Sequence, residues 1–161
     1  MPDVILESFL RETFEQTIPL VEDSELVDLV PVGPPSRYMA LFHCRGLVRD
    51  DGGEVREADE FAVHIWFTED HLRFVDPVKL LCWGGPRNPW HPNISDRVPY
   101  VCIGHVGPAI TLTSILYQLF EIITWQKYSP HDPLNAAAAQ WARNQPRDRF
   151  PIDPRPLRWR A

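Results

Sequence analysis

Cysteine is scarce in this 161-residue chain, and the scarcity excludes several classes at once. Cys44, Cys82 and Cys102 form an odd set with no short paired spacing, so neither a disulfide framework nor a zinc knuckle is indicated. At least one thiol is left free for chemistry. No apolar run approaches twenty residues, which argues against a membrane span. The start, Met1-Pro2-Asp3-Val4-Ile5-Leu6-Glu7, has neither the basic flank nor the small-residue cleavage site of a signal peptide. A soluble, cytoplasmic protein is therefore expected, and the Asn93-Ile94-Ser95 glycosylation pattern reads as chance. Positive charge is short as well. A net charge of −6 argues against binding nucleic acid, which needs concentrated Lys and Arg. His43, His64, His71, His91, His105 and His131 show no ligand-spaced pair, so neither a metal nor another cofactor is expected. No internal repeat is evident.

What remains is enough apolar residue, 44%, for one compact domain of ordinary size. Its charge is uneven. From Arg143 onward six arginines face only Asp148 and Asp153, a balance of +4, which leaves −10 on the preceding part. Four prolines in the same stretch (146, 151, 154 and 156) favour extended backbone and forbid a normal helix. Residues 1–144 thus read as the folded core and 145–161 as a Pro/Arg-rich tail or strap. Phe150, Ile152, Leu157 and Trp159 are the apolar anchors a strap would use, though a solvated terminus stays open.

Along the core, Ile5, Leu6, Phe9, Leu10 and Phe14 recur at helical spacing, with Glu7 and Arg11 placed for a pair on the wet face. Leu26 to Val32, Tyr38 to Val48 and Phe61 to Thr68 read as strands, the last by strict alternation, and a fourth strand is expected from Val78 to Trp83. Asp50-Asp51-Gly52-Gly53 supplies a hairpin turn between the second and third. Leu112, Ile115, Leu116, Leu119, Phe120 and Ile123 trace a helix that Thr111 can cap. Tyr117, Ile122 and Trp125 make its other side apolar too, so it is expected at the centre of the domain. Asn135 to Arg143, with four alanines, is a short last helix that Pro146 ends. The fold class is α+β: a first helix, a four-stranded antiparallel meander, an irregular segment, a central helix and a short C-terminal one.

Chemistry concentrates between His91 and Leu134. A His91-Pro92-Asn93-Ile94 turn precedes Cys102. Pro108-Ala109-Ile110-Thr111-Leu112-Thr113-Ser114-Ile115-Leu116 opens the central helix, and Asp132-Pro133-Leu134 follows it. These words, in this order with one cysteine between the first two, resemble the ubiquitin-conjugating enzyme family. The element order is similar over roughly residues 5 to 143. Three departures accompany the likeness. The interval from Asn93 to Cys102 is one residue longer than usual, Val106-Gly107 replaces a tryptophan, and the Pro/Arg tail stands where the family has a last helix. Such a divergent core looks like the bacterial members found in ubiquitin-like conjugation operons, some implicated in antiphage defence.

The resemblance implies that Cys102 carries a ubiquitin-like protein as a thioester, received from an activating enzyme and passed to a lysine of a protein substrate, with a ligase as a further possible partner. A thiolate is both a strong nucleophile and a good leaving group, as that relay requires. Asn93 matches the amide donor that meets the oxyanion, Asp132 the acid on the path of the incoming amine, and His91 with Pro92 the brace of the turn. Asn93 can equally stabilise its turn, and Asp132 can equally cap a helix before Pro133. Cys44 and Cys82, beside apolar residues in expected strands, read as core thiols. Phe74, Pro108 and Ala109 fall where family members present an apolar patch to ligases. Arg11 stands among Asp3, Glu7, Glu12 and Glu15, which suggests an activating enzyme of complementary charge. Two rival readings are a cysteine hydrolase using Cys102 and His105, and a non-catalytic module that binds a ubiquitin-like protein.

Overall fold

The computed structural model describes residues 3–129 and 132–157, and their arrangement is α+β, with four helices and a four-stranded antiparallel sheet. Helix α1 spans Val4–Asp23. Asp3 starts it, its carboxylate accepting from the N–H groups of Ile5 and Leu6 at 3.1 Å. Its apolar periodicity ends at Phe14, yet the helix runs nine residues further, through Pro19. Buried Leu20 and two polar contacts carry that extension. Buried Thr13 accepts from the N–H of Leu112 at 2.7 Å, and Thr17 meets Thr113, hydroxyl to hydroxyl, at 2.8 Å. Both contacts tie α1 to the start of the central helix. Glu7 and Arg11 are both exposed, with no ion pair between them among the described residues.

Strands β1 (Val27–Pro31), β2 (Arg37–Phe42), β5 (Phe61–Trp66) and β6 (Leu81–Gly85) form the sheet in that order, each antiparallel to its neighbour. Alternation works as expected in β5, where Phe61, Val63 and Ile65 are buried and His64 is exposed. Two expectations need correction. The stretch from Tyr38 to Val48 is not one strand: it leaves the sheet at His43-Cys44-Arg45 and resumes as β3 (Gly46–Arg49), which pairs only with β4 (Val55–Ala58). The Asp50 to Gly53 turn therefore joins β3 to β4, an inserted hairpin. Gly46 marks the break, because a Cβ there would lie 2.5 Å from the carbonyl oxygen of Ile123 and 2.7 Å from the Phe61 ring. The fourth strand also starts later than Val78. Pro77 at the first helical position, with Asp76 capping Val78 N–H, makes 77–80 a helical turn, α2.

Central helix α3 spans Leu112–Ile123, capped by the Thr111 hydroxyl at Ser114 N–H. Seven of its side chains are buried, so it crosses the interior and does not lie on the surface. At about 1.5–3 kcal/mol each they form the largest single apolar contribution of any element. The helix ends on Trp125, whose φ of 63° lies in the left-handed region that glycine ordinarily fills. A tryptophan is held there by its ring. It is 1% exposed, stacks on Phe150 at 4.8 Å and donates from Nε1 to the Trp90 carbonyl. Trp141 of the last helix, α4 (Ala136–Arg143), closes the cluster at 5.7 Å.

Phe150 belongs to the C-terminal segment, which packs along the domain as far as Leu157 with Ile152 and Leu157 buried. Trp159 lies outside the described residues. The buried ion is the tail's own Asp153, fully inaccessible, whose carboxylate accepts from Arg45 N–H at 2.9 Å and from Arg155 Nη2 at 2.8 Å. Burial alone would raise its pKa, but the hydrogen bonds from Arg155 and from the Arg45 and Arg155 N–H groups outweigh this and hold it at about 2.

A carboxylate whose pKa is depressed on folding stabilises above its unfolded value, near 4, and loses that contribution as the pH falls through about 2. Asp153→Asn should therefore cost about 2 kcal/mol at pH 7. Urea unfolding of both proteins checks this, and the gap should narrow at pH 3. An equal gap at both pH values would remove the ionic explanation.

Candidate active site

The chain leaves β6 through Pro89 and Trp90 and enters the His91-Pro92-Asn93 turn fully buried at its first two residues. The His91 ring is 1% exposed and uses both nitrogens. Nδ1 accepts the N–H of Asn93 at 2.9 Å, so Nε2 carries the proton and donates to the carbonyl of Lys127 at 3.0 Å. One imidazole thereby tightens the turn and fastens it to the segment just beyond α3. Burial drives its pKa down to about 3 against the partial support of the Lys127 carbonyl, so it is neutral at pH 7. Its face lies 4.6 Å from the Trp125 ring.

Asn93 works outward from that anchor. Its Oδ1 accepts from Ser129 N–H at 3.1 Å, its Nδ2 donates to the Cys102 carbonyl at 3.3 Å, and its own carbonyl accepts Cys102 N–H at 2.9 Å. Residues 93 and 102 are therefore opposite ends of a small hairpin, bridged again at Ile94 and Val101. Pro92 completes the frame, its carbonyl accepting from Leu134 and Asn135 N–H at 2.8 and 3.2 Å. At the hairpin tip Ser95 Oγ accepts from Arg97 and Val98 N–H.

Along the returning strand, Val101 and Ile103 are buried while Tyr100 and Cys102 are half-buried, so the thiol points out of the core. Gly104, at φ 97°, turns the chain away immediately after it. Cys44 is a different case. It is 1% exposed, and burial followed by the Asp153 charge pushes its pKa up to about 12, partly opposed by Arg155, which leaves no thiolate at neutral pH. Cys44 lies between β2 and β3, not within a strand. Cys82 departs from the core-thiol expectation: it is half-buried on the side of β6 shared with exposed His64, and it bridges to Tyr100.

Asp132 is exposed, with a left-handed φ of 49°, on the segment that Pro92 holds at residue 134. It does not cap the last helix. Asn135 does, its Oδ1 accepting from Ala138 N–H at 3.0 Å. His105 is exposed and makes no hydrogen bond to Cys102 among the described residues. Phe74 is 69% exposed, and Pro108 and Ala109 are exposed as well. His71, three residues before Phe74, stacks on Phe9, leaves its buried Nε2 without a hydrogen-bond partner, and has its pKa lowered by burial, partly opposed by the Pro108 carbonyl. Among the described residues no three His, Cys, Asp or Glu side chains converge as metal ligands, and no helix is long and apolar enough to cross a membrane.

The arrangement presents a thiol on rigid backbone, with a carboxamide nitrogen across the hairpin from it. No protein-family model matches the chain, and no curated protein does. Reasoning from sequence did not find the Lys127 carbonyl or Ser129 N–H, since backbone groups leave no signature in residue type.

A histidine whose pKa is lowered on folding stabilises above about 6.5, and this is lost as the pH falls toward its folded value of about 3. Below 6.5 the loss runs at about 1.4 kcal/mol per pH unit. From pH 7 to pH 5 the wild type should therefore lose about 2 kcal/mol that His91→Gln, less stable at pH 7, does not lose. Urea titrations at the two pH values measure the difference. A His91→Gln variant as acid-sensitive as the wild type would show that the buried imidazole carries no such linkage.

Proposed function

We propose that this chain accepts a ubiquitin-like protein as a thioester on Cys102, from an activating enzyme, and transfers it to an amine of a protein substrate. The observation that carries the reading is the outward thiol of Cys102, fixed by its N–H to the Asn93 carbonyl while the Asn93 amide lies against its backbone. Attack of an amine on the thioester puts charge on the carbonyl oxygen, and a preorganised amide donor there is worth about 3–4 kcal/mol. Asn93 Nδ2 has two protons, and only one is committed to the Cys102 carbonyl. Under the same proposal the α+β architecture is a ubiquitin-conjugating-enzyme-like fold, Asp132 draws in the ammonium and helps it lose its proton, and Phe74, Pro108 and Ala109 receive a ligase.

Composition adds independent support. The chain has two lysines, Lys79 and Lys127, against fourteen arginines. Guanidinium stays protonated and cannot attack an acyl group, whereas a lysine amine can. A protein that carries an acyl thioester while waiting for its target avoids modifying itself by this bias.

Incubation with a cognate activating enzyme, ATP and ubiquitin-like protein should give a thiol-sensitive adduct. Cys102→Ala should abolish it, and Cys102→Lys should convert it to a reductant-resistant amide. An adduct that persists in Cys102→Ala contradicts the assignment. Asn93→Asp keeps the oxygen that Ser129 N–H needs and removes the amide donor, so it should charge normally and discharge to free lysine about 100-fold more slowly. Asp132→Ala should slow the same step by a smaller factor, whereas His105→Ala should leave both steps near wild type. A large loss in His105→Ala would favour hydrolase chemistry.

A further inference from the structure

We infer that a basic cavity beside the His91 turn receives an acidic side chain of the protein substrate, so that lysines a few residues from a glutamate or aspartate are the preferred targets. This rests on the thioester reading of Cys102. The cavity holds about 220 Å³. Small-molecule sites run to roughly 300–1,000 Å³, so the space suits a single side chain better than a cofactor. Buried Pro92 and Ala139 and half-buried Phe150 give it an apolar floor, while the more exposed Tyr128, Arg143 and Arg147 form its rim. An apolar floor for a short aliphatic stem, with guanidinium groups at the mouth for a carboxylate, matches the chemistry of glutamate or aspartate. No carboxylate is among the lining residues, so none of the described acids neutralises the rim from within.

The arginines of the C-terminal segment are not equivalent. Arg155 is taken by Asp153 at 2.8 Å, and Arg149 lies over the Trp141 ring at 4.8 Å and donates to Gln145 Oε1 at 2.8 Å. Arg147 is exposed at the cavity and makes no side-chain hydrogen bond or ion pair among the described residues. Its backbone sits in a turn that Arg149 N–H closes on the Pro146 carbonyl at 3.1 Å. A fixed, permanently charged and unengaged guanidinium is what a passing carboxylate needs. The cavity is also close to the thiol. Pro92 precedes Asn93, whose carbonyl accepts Cys102 N–H at 2.9 Å. About 3.8 Å along the chain and about 5.5 Å across the hairpin put the Pro92 and Cys102 Cα atoms within about 9 Å. An extended substrate rises about 3.3 Å per residue, so an acid held in the cavity lies about two to four residues from a lysine at the thioester.

Discharge of the charged protein to lysine peptides with glutamate at that spacing, and to their glutamine counterparts, measures the preference. The wild type should show a KM about three- to ten-fold lower for the glutamate peptides, and Arg147→Gln should erase the difference. Arg147→Glu should reverse it, in favour of peptides with arginine at the same position. A loss in Arg147→Gln that falls equally on both peptides overturns the inference. The second arm needs no acyl transfer. In NMR titrations of the uncharged wild type at low salt, the glutamate peptides should shift the Arg147 side-chain and Tyr128 ring signals, and added salt should weaken the effect. Glutamine peptides should leave those signals in place. Equal binding of the two kinds of peptide, or binding by glutamate peptides that survives Arg147→Gln, also overturns the inference. Selective peptide binding by a chain that never charges would retain the acid-binding cavity and reject the thioester function, whereas charging on Cys102 without selectivity would do the reverse.

Discussion

The buried imidazole of His91 joins its own turn to a segment 36 residues away in sequence. Through Nδ1 it holds the Asn93 turn, and through Nε2 it holds the carbonyl of Lys127 just past the central helix. Asn93 then extends the connection to Ser129 and Cys102. Each bond is of ordinary strength, about 1 kcal/mol net. Their importance lies in what their loss would expose, because a fully desolvated ring with one nitrogen unpaired costs more than the bond was worth. The position of the Cys102 backbone is therefore inherited from the packing around Trp125, which covers one face of His91.

The three thiols show how environment divides one residue type among different uses. Cys44 is sealed in the core beside the Asp153 carboxylate and is pushed toward permanent protonation. Cys82 lies half-buried on β6 opposite Tyr100, and Cys102 follows two residues later on the same side of the hairpin. Cys102 alone of the three has the Asn93 amide bonded to its backbone carbonyl, among the described residues. The C-terminal strap reaches this arrangement indirectly: Phe150 stacks on Trp125, so a segment remote from the thiol supports the wall against which His91 is held.

Much of this was legible in residue pattern. The α+β order, the alternation of β5, the Thr111 cap and the start of the last helix all follow from local periodicity and capping chemistry, which act within a few residues. The second half of α1 was not legible, because Thr17 within it and Thr13 just before it are buried polar residues whose partners lie 96 and 99 residues away. The break between β2 and β3 was hidden for a similar reason, since Gly46 is dictated by contact with Ile123 and Phe61 and not by its neighbours. At the site, the sequence indicated Asn93, Cys102 and His91 as a set, while Ser129, Lys127 and Pro92 contribute through backbone groups that any residue could supply.

The segment that carries Cys102 is preformed as one unit. Native-state hydrogen exchange tests it directly at the amides of Asn93, Cys102, Ser129 and Leu134, which His91, Asn93 and Pro92 hold together. The four should exchange slowly and with a common opening free energy close to that of global unfolding. In His91→Gln they should accelerate together, more than amides of β2 do. Independent exchange at the rates of open loop amides, in the wild type, would contradict a preformed site and leave Cys102 on a segment organised only when a partner binds.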